Sequence, residues 1–397
     1  HLASRLRAAA DSGLTPVQQP SSDPTQEDVI DSTHLEGDTN EHVVGKQVRR
    51  HKYQLWRRAA RGIAQDHLQA SPLYGPKRAP SIPLSLNSEA WLAPRGRGTM
   101  RTTKRFTPKV LARFERMGRS LGTREQYSGW HQVTRGDPAS SGRSHVVRWR
   151  ERLRDLLSDG EFDQQLFATM LPNLDDCLEQ FKLDCDSSVH PLAAYGEHDP
   201  FSLHPGTTEL AQALGIKPPK VYGGGNVAPW SLSTDLVLVF KHEGRPRDAL
   251  ALAFKPADFS AHQRVVELLR LEREYWMRRG VPWMLITSGQ SDRAVRMTLR
   301  RIAAWTLDED AAANDRATAT RIAIELPGHS LSTVLWRIAE SVGSLNTAQR
   351  ALWQSIWRGE LPIDLRRDWR PHRPLQLVTR SHFMDFNPIA VRRSAWI

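Results

Sequence analysis

The chain has 397 residues, in which 55 lysines and arginines outnumber 44 aspartates and glutamates, giving a formal charge of +11 and an isoelectric point near 10.0. That length leaves room for two domains and a long extension, and the positive balance suits a protein held near a polyanion without telling DNA from RNA or an anionic membrane. No apolar stretch approaches a membrane span and the start HLASRLRAAADSG has no signal-peptide core, so membrane and secreted classes are set aside and a cytoplasmic location is expected.

Residues 1–92 read as a charged, disordered extension and linker. Residues 21–41 are acidic and polar, and Lys46 to Arg61 (KQVRRHKYQLWRRAAR) then turns strongly basic. Blocks of this kind usually stay solvated, although Tyr53 and Trp56 among the arginines leave open a short helix lying on DNA or a partner. Pro72 to Pro83 reads as a linker. A second basic stretch, Arg95 to Arg119, leads into a domain placed at residues 93–290, and phosphate contacts are its most economical explanation.

In LLSDGEFDQQLF, Glu161 stands at the start of a helix whose apolar side carries Phe162, Leu166 and Phe167. Ser158-x-x-Glu161 also fits a capping box, a role compatible with a functional one. Cys177 and Cys185 are spaced unlike a zinc knuckle and are expected to be reduced and structural. His190, His198 and His204 fall in a loop-like, proline-containing region and are expected to be solvated. The glycines of YGGGNVAPW lack the Lys-Ser/Thr and the helix entry of a phosphate loop, so a turn is predicted.

Leu236 to Phe240 is a continuously apolar run, as a strand buried on both faces would be, and Asp235 stands at its mouth. A charged turn, Lys241 to Arg247, returns the chain into a second strand, Ala249 to Phe254, which Lys255 closes and Pro256 stops. Antiparallel pairing across so short a turn makes Asp235 and Lys255 neighbours. On the following helix Val265, Leu268, Leu269 and Trp276 share a stripe at the 3.6 period with Glu272, while Glu267 and Glu274 point outward. A carboxylate on a core face needs a partner or an ion. Val281 to Thr287 is a third strand. Plainer roles exist for each residue: an Asx turn for Asp235, a snorkelling strand-end lysine for Lys255, and an arginine partner for Glu272.

Residues 291–397 change character to helices with short connections. Asp292 can cap one ending near Trp305, Ser330 or Ser332 another running to Val342, and Asn346 a third ending at Gly359. LPIDL at Leu361 to Leu365 reads as a short strand or wing. Three helices and a wing suit a winged-helix-like module, and a small helical packing domain fits equally. The last residues, Arg380 to Ile397, are aromatic enough that docking on a partner is expected.

Carboxylates beside a lysine at one sheet edge are what divalent-metal nucleases use: hard oxygens hold the ion, and a cation offsets charge at phosphorus. FTPKVLARFERMGRSLGTREQYSGW, then SSGR at Ser140 to Arg143, LLSDGE, CLEQF at Cys177 to Phe181, STDLVLV, AFKP and LEREYW form an ordered series. This series resembles the TnsA family, endonuclease subunits of Tn7-type heteromeric transposases, over most of the chain after the first hundred residues. The resemblance implies an α/β, restriction-endonuclease-like mixed sheet flanked by helices, followed by a mainly α, winged-helix-like domain. It implies a DNA endonuclease that cuts 5′ strands at transposon ends with Mg2+, or Mn2+ in its place. Its partners would be double-stranded DNA, a DDE transposase (TnsB-like) and an AAA+ ATPase (TnsC-like). Carried over by motif, Glu161 and Asp235 would be metal ligands, Lys255 the catalytic lysine, and Glu272 a catalytic-site glutamate of less defined role. Two residues before the lysine, where TnsA proteins can carry Gln, stands Ala253. The backbone carbonyl of Phe254 can still ligate a metal, and Glu272 could replace the missing side chain. A free-standing nuclease and a non-catalytic DNA-bound adaptor between transposase and ATPase remain as alternatives, the second kept open by Ala253.

Overall fold

The computed structural model describes residues 105–138, 142–307, 309–367 and 370–396, all within a compact unit spanning Arg97–Ile397. The acidic stretch 21–41, the basic block Lys46 to Arg61, the Pro72 to Pro83 linker, the first part of the Arg95 to Arg119 stretch and Ser140 and Ser141 of SSGR lie outside the described residues.

Thr107 accepts a hydrogen bond from the Val110 N–H and so caps helix α1 (Pro108–Arg116). Leu111 and Phe114 pack with Trp130 and Val221 in a small apolar cluster. Two arginines of the basic stretch are ion-paired within the chain: Arg113 and the buried Arg119 lie 2.6 and 2.8 Å from the two carboxylate oxygens of Asp137. Arg119 is thereby fixed inside the protein, while Arg113 keeps part of its guanidinium exposed and the pair retains a net positive charge over Asp137.

The hairpin β1 (His145–Trp149) and β2 (Arg152–Leu156) leads into α2 (Asp159–Thr169) and then β3 (Leu174–Lys182). A short pair, β4 (Ser188–Val189) and β5 (Leu203–His204), is followed by α3 (Thr207–Ala213) and the hairpin β6 (Lys220–Gly223) and β7 (Asn226–Pro229). Gly224 and Gly225 make the expected turn, both in the left-handed region at φ 59° and 77°, as a two-residue hairpin turn requires. Strands β8 (Ser233–His242) and β9 (Arg245–Lys255), helix α4 (Gln263–Met277) and strand β10 (Trp283–Thr287) complete this part.

The four-stranded sheet has the order β10-β9-β8-β3, with β9 and β10 parallel and the other pairs antiparallel. Its strands read as continuous apolar runs because both faces are covered. Leu236, Leu238, Leu250, Leu252 and Ile286 share one core with Leu166 and Phe167 of α2, while Val237, Val239, Ala251, Ala253 and Leu285 share the other with Leu269, Tyr275 and Trp276 of α4. No helix among the described residues is long and apolar enough to cross a membrane.

Helices α5 (Arg293–Thr306), α6 (Ala313–Glu325), α7 (Leu331–Val342), α8 (Leu345–Trp357) and α9 (Arg380–Asp385) follow. Asp292 and Ser330 cap α5 and α7 as the sequence predicts. The cap of α8 is Ser344, not Asn346, its hydroxyl accepting the Thr347 N–H. Helix α6 went unpredicted because Ala312 offers it no side-chain cap and its ANDRATATRIAIE pattern has a weak apolar stripe. LPIDL is not a regular strand; only Ile363 makes a bridge, to Leu377. The apolar core is continuous from the sheet into these helices, joining Leu238 to Val295, Ile338 and Trp353.

The terminal segment corrects the expectation of a partner-docking tail. Phe383, Phe386 and Ile389 are buried in the chain's own core. Asn387 donates to the carbonyl of Phe167 at 2.8 Å, Ala395 N–H donates to Leu285 O at 2.7 Å, and Trp396 meets Trp283 edge to face. Phe383 and Phe386 are consumed in the core, and the end of the segment, Ser394 to Trp396, lies along the free edge of β10.

Candidate active site

The pairing of Leu236 with Leu252 puts the start of β8 beside the end of β9. Asp235 Oδ2 lies 3.6 Å from Lys255 Nζ, as the hairpin geometry predicts. Asp235 makes no local Asx turn; the same oxygen accepts the Phe254 N–H across the strands at 2.6 Å. Lys255 is half-buried rather than snorkelling free, and its ammonium donates to Phe254 O at 2.7 Å. The carbonyl considered as a metal ligand is thus held by the ammonium.

Glu161 enters from α2. Ser158 Oγ accepts the Glu161 N–H at 3.2 Å, the serine half of a capping box. The other half is displaced by one residue: Glu161 Oε2 accepts the N–H of Leu157 at 2.8 Å, while Oε1 accepts the Ser158 hydroxyl at 3.0 Å. Gly160 makes this approach feasible, since a Cβ there would lie 2.0 Å from the Phe254 ring.

Glu272 is buried on the core face of α4, as the helical period predicts. Its partner is no arginine: Oε1 accepts the Thr234 hydroxyl at 2.8 Å and the Trp283 indole N–H at 3.3 Å. Thr234 in turn accepts from the Trp276 indole at 2.8 Å.

Gln180 was not singled out from the sequence. Its Nε2 donates to Glu161 Oε2 at 2.9 Å and to Asp235 Oδ1 at 3.4 Å, so one amide bridges the two carboxylates. The site-facing role depends on the register of β3 against β8, which no local pattern encodes. Its neighbour Glu179 points the other way into a second buried cluster. There Arg152 binds it with two hydrogen bonds of 2.5 and 2.7 Å, and Arg154 lies 3.9 Å from it and 3.8 Å from Asp176.

The electrostatics of the first cluster follow from crowding. Burial, then the charge of Asp235, pushes the Glu161 carboxyl up to about 7. Burial likewise raises Glu272 to about 7 against the opposing pull of Lys255. Burial works against the Lys255 ammonium, but Asp235, Glu272 and Glu161 outweigh it and hold the pKa above the ordinary lysine value. Lys255 is therefore a permanent cation at neutral pH and not a base. The structure brings Glu161, Asp235, Phe254, Lys255 and Glu272 together, and it leaves Ala253 fully buried with no polar atom beyond its backbone.

His190 is not solvated: it is buried, stacks on His198 at 3.8 Å, and has both ring nitrogens engaged, with Leu192 N–H and Arg279 O. Both cysteines are free, Cys177 buried and Cys185 less so. Among the described residues no three His, Cys, Asp or Glu side chains converge as a ready metal cage.

A mixed four-stranded sheet covered by helices, with carboxylates and a lysine gathered at the end of its two central strands, defines an α/β protein with a charged, acidic candidate site. No protein-family model matches the chain. Its sequence is 30% identical over 193 residues to the Transposon Tn7 transposition protein TnsA of Escherichia coli. The chain is thus similar to TnsA over the matched stretch, which covers 48% of it and 61% of that protein's length.

Proposed function

We propose that the chain is the DNA endonuclease subunit of a Tn7-like transposase, hydrolysing 5′ strands at transposon ends on a restriction-endonuclease-like sheet, with the C-terminal helices as a winged-helix-like partner and DNA module. The observation that carries this is charge. Three carboxylates, Glu161, Asp235 and Glu272, interact with a single ammonium, Lys255. Fully ionised, the three would exceed the ammonium by two negative charges, which one divalent cation would balance; without one, burial keeps Glu161 and Glu272 partly protonated near pH 7.

The donors suit magnesium, which takes hard oxygens and typically uses only one or two protein carboxylates, leaving its other positions to water and phosphate. Glu161, Asp235 and the Phe254 carbonyl would hold it, with Mn2+ able to substitute. When bound, such an ion supplies positive charge to the phosphate and a water of lowered pKa. Lys255 offsets negative charge growing on the phosphate oxygens, for which its raised pKa suits it. Glu272 and Asp235 hold that ammonium in place electrostatically. With water as nucleophile, no covalent protein intermediate forms. Sequence recognition would fall to a TnsB-like transposase, with a TnsC-like ATPase as the second partner, all in the cytoplasm, and the isolated chain should cut poorly.

Ala253 supports one rival, a DNA-bound adaptor that has lost cleavage. Strand-resolved cleavage of a labelled transposon-end duplex, with Mg2+, transposase and ATPase, decides between them. The expected result is 5′-strand cutting by the wild type and none by Asp235→Ala; equal products, or none from either, would favour the adaptor.

A further inference from the structure

Gln180 occupies an unusual place in β3. The ladder to β8 pairs Glu179 with Leu236 and Phe181 with Thr234 but skips Gln180, whose backbone is left-handed at φ 49°. A non-glycine residue in that region is strained and persists only when its surroundings hold it there. Here the Trp130 N–H donates to the Gln180 carbonyl at 2.9 Å. The result turns a buried carboxamide between Glu161 and Asp235 while its Oε1 accepts the Ser233 hydroxyl at 3.0 Å.

In this arrangement the amide N–H2 does what a cation would do, holding two repelling carboxylates together. A cation arriving between them would compete for the same oxygens and face the amide hydrogens. Half a turn of the carboxamide exchanges its two ends and resolves the conflict. The turn costs no hydrogen bond at the other end, because the Ser233 hydroxyl can accept from Nε2 as readily as it donates to Oε1. Ala253 leaves the site short of one side-chain oxygen.

We propose that Gln180 supplies it: the carboxamide bridges Glu161 and Asp235 when no cation is bound, and rotates to present Oε1 as a ligand when a divalent cation enters. This rests on the metal-site reading above. A purely structural amide, by contrast, would only be an obstacle to displace.

Calcium binding by the full chain, followed calorimetrically, separates these. Replacing Gln180 with leucine removes both the oxygen and the amide hydrogens, and an affinity at least about tenfold weaker than wild type is expected, the scale of losing a metal-site partner. Gln180→Glu restores an oxygen and should bind as tightly as wild type or tighter. Unchanged or tighter binding by Gln180→Leu would overturn the proposal. Should that variant not fold, Gln180→Glu decides alone, and weaker binding than wild type overturns it. If the wild type itself takes up no calcium, the metal-site reading falls and this inference with it; if wild type and Gln180→Leu bind equally, only the role of Gln180 is lost.

Discussion

Glu179 and Gln180 are consecutive residues of one strand, yet they serve two buried polar clusters of opposite design. On one side, Arg152 and Arg154 face Glu179 and Asp176, cation for anion, and Asp176 accepts further hydrogen bonds from the Tyr195 hydroxyl at 2.7 Å and the Arg124 N–H at 2.6 Å. On the other, three carboxylates share one lysine; burial drives Glu161 and Glu272 up to about 7 and Glu179 as far, so the number of partners, not the raised carboxyl, separates the two clusters. A buried ion network in which each anion has its own cation is a packing device; one with three carboxylates to a single cation is the arrangement on which the proposed metal site rests. Burial alone does not distinguish the two, since residues in both clusters are almost fully enclosed.

The contrast breaks most visibly at Arg152. Arg152→Met leaves Glu179 buried without its bidentate partner, and urea unfolding should register a loss of about 3–5 kcal/mol. Cleavage per folded molecule should survive, because the hydrogen bonds of Arg152 go to Glu179 and to backbone carbonyls, not to the residues of the site. A loss of activity with stability intact would show that the two clusters are not separate.

Glu272→Gln should act in the opposite sense. The folded Glu161 and Glu272 carboxyls hold their protons up to about 7, against an ordinary value of 4.5. Their protonation thus favours the folded state fully below 4.5, and this contribution is lost as pH rises through 7. Cation-free Glu272→Gln should therefore be more stable than wild type at pH 8, by roughly 1–2 kcal/mol, with the difference vanishing near pH 4. His131 and His190, lowered to about 4 by burial, slope the other way between about 6.5 and 4. The measurement is accordingly the difference between variant and wild-type unfolding across pH, in which the histidines cancel. A pH-independent difference would refute the assignment of surplus charge at Glu272, and retention of both metal affinity and cleavage would remove it from the site.

The smallest effect is expected at the edge of the sheet. Trp396 packs against Trp283, whose indole holds Glu272. Trp396→Ala should cost about 1 kcal/mol, the worth of an aromatic pair, in thermal or urea unfolding. An unchanged midpoint would mean that the terminal segment does not anchor the site's outer wall.

How far these features could be seen in the sequence varied with the range of the interaction. Asp235 and Lys255 followed from a short hairpin, and Glu272 from the helical period, because both are local geometry. Glu161 needed the resemblance to a family, since a capping box explains the same letters and the structure shows the residue capping and facing the site at once. Gln180 and the terminal segment depended on contacts between distant parts of the chain: a skipped rung opposite β8 in one case, the uncovered edge of β10 in the other. Helix α6 was lost for a different reason, the lack of any side-chain cap at Ala312.

Gly160 carries one more consequence. A glycine in the first turn of a helix is a poor helix former, by about 1 kcal/mol relative to alanine, but here it lets α2 rest directly on the ring of Phe254. A side chain added at residue 160 would wedge the helix that brings Glu161 away from the strand end that brings Phe254 and Lys255, so the two halves of the site stay together by the absence of a single carbon.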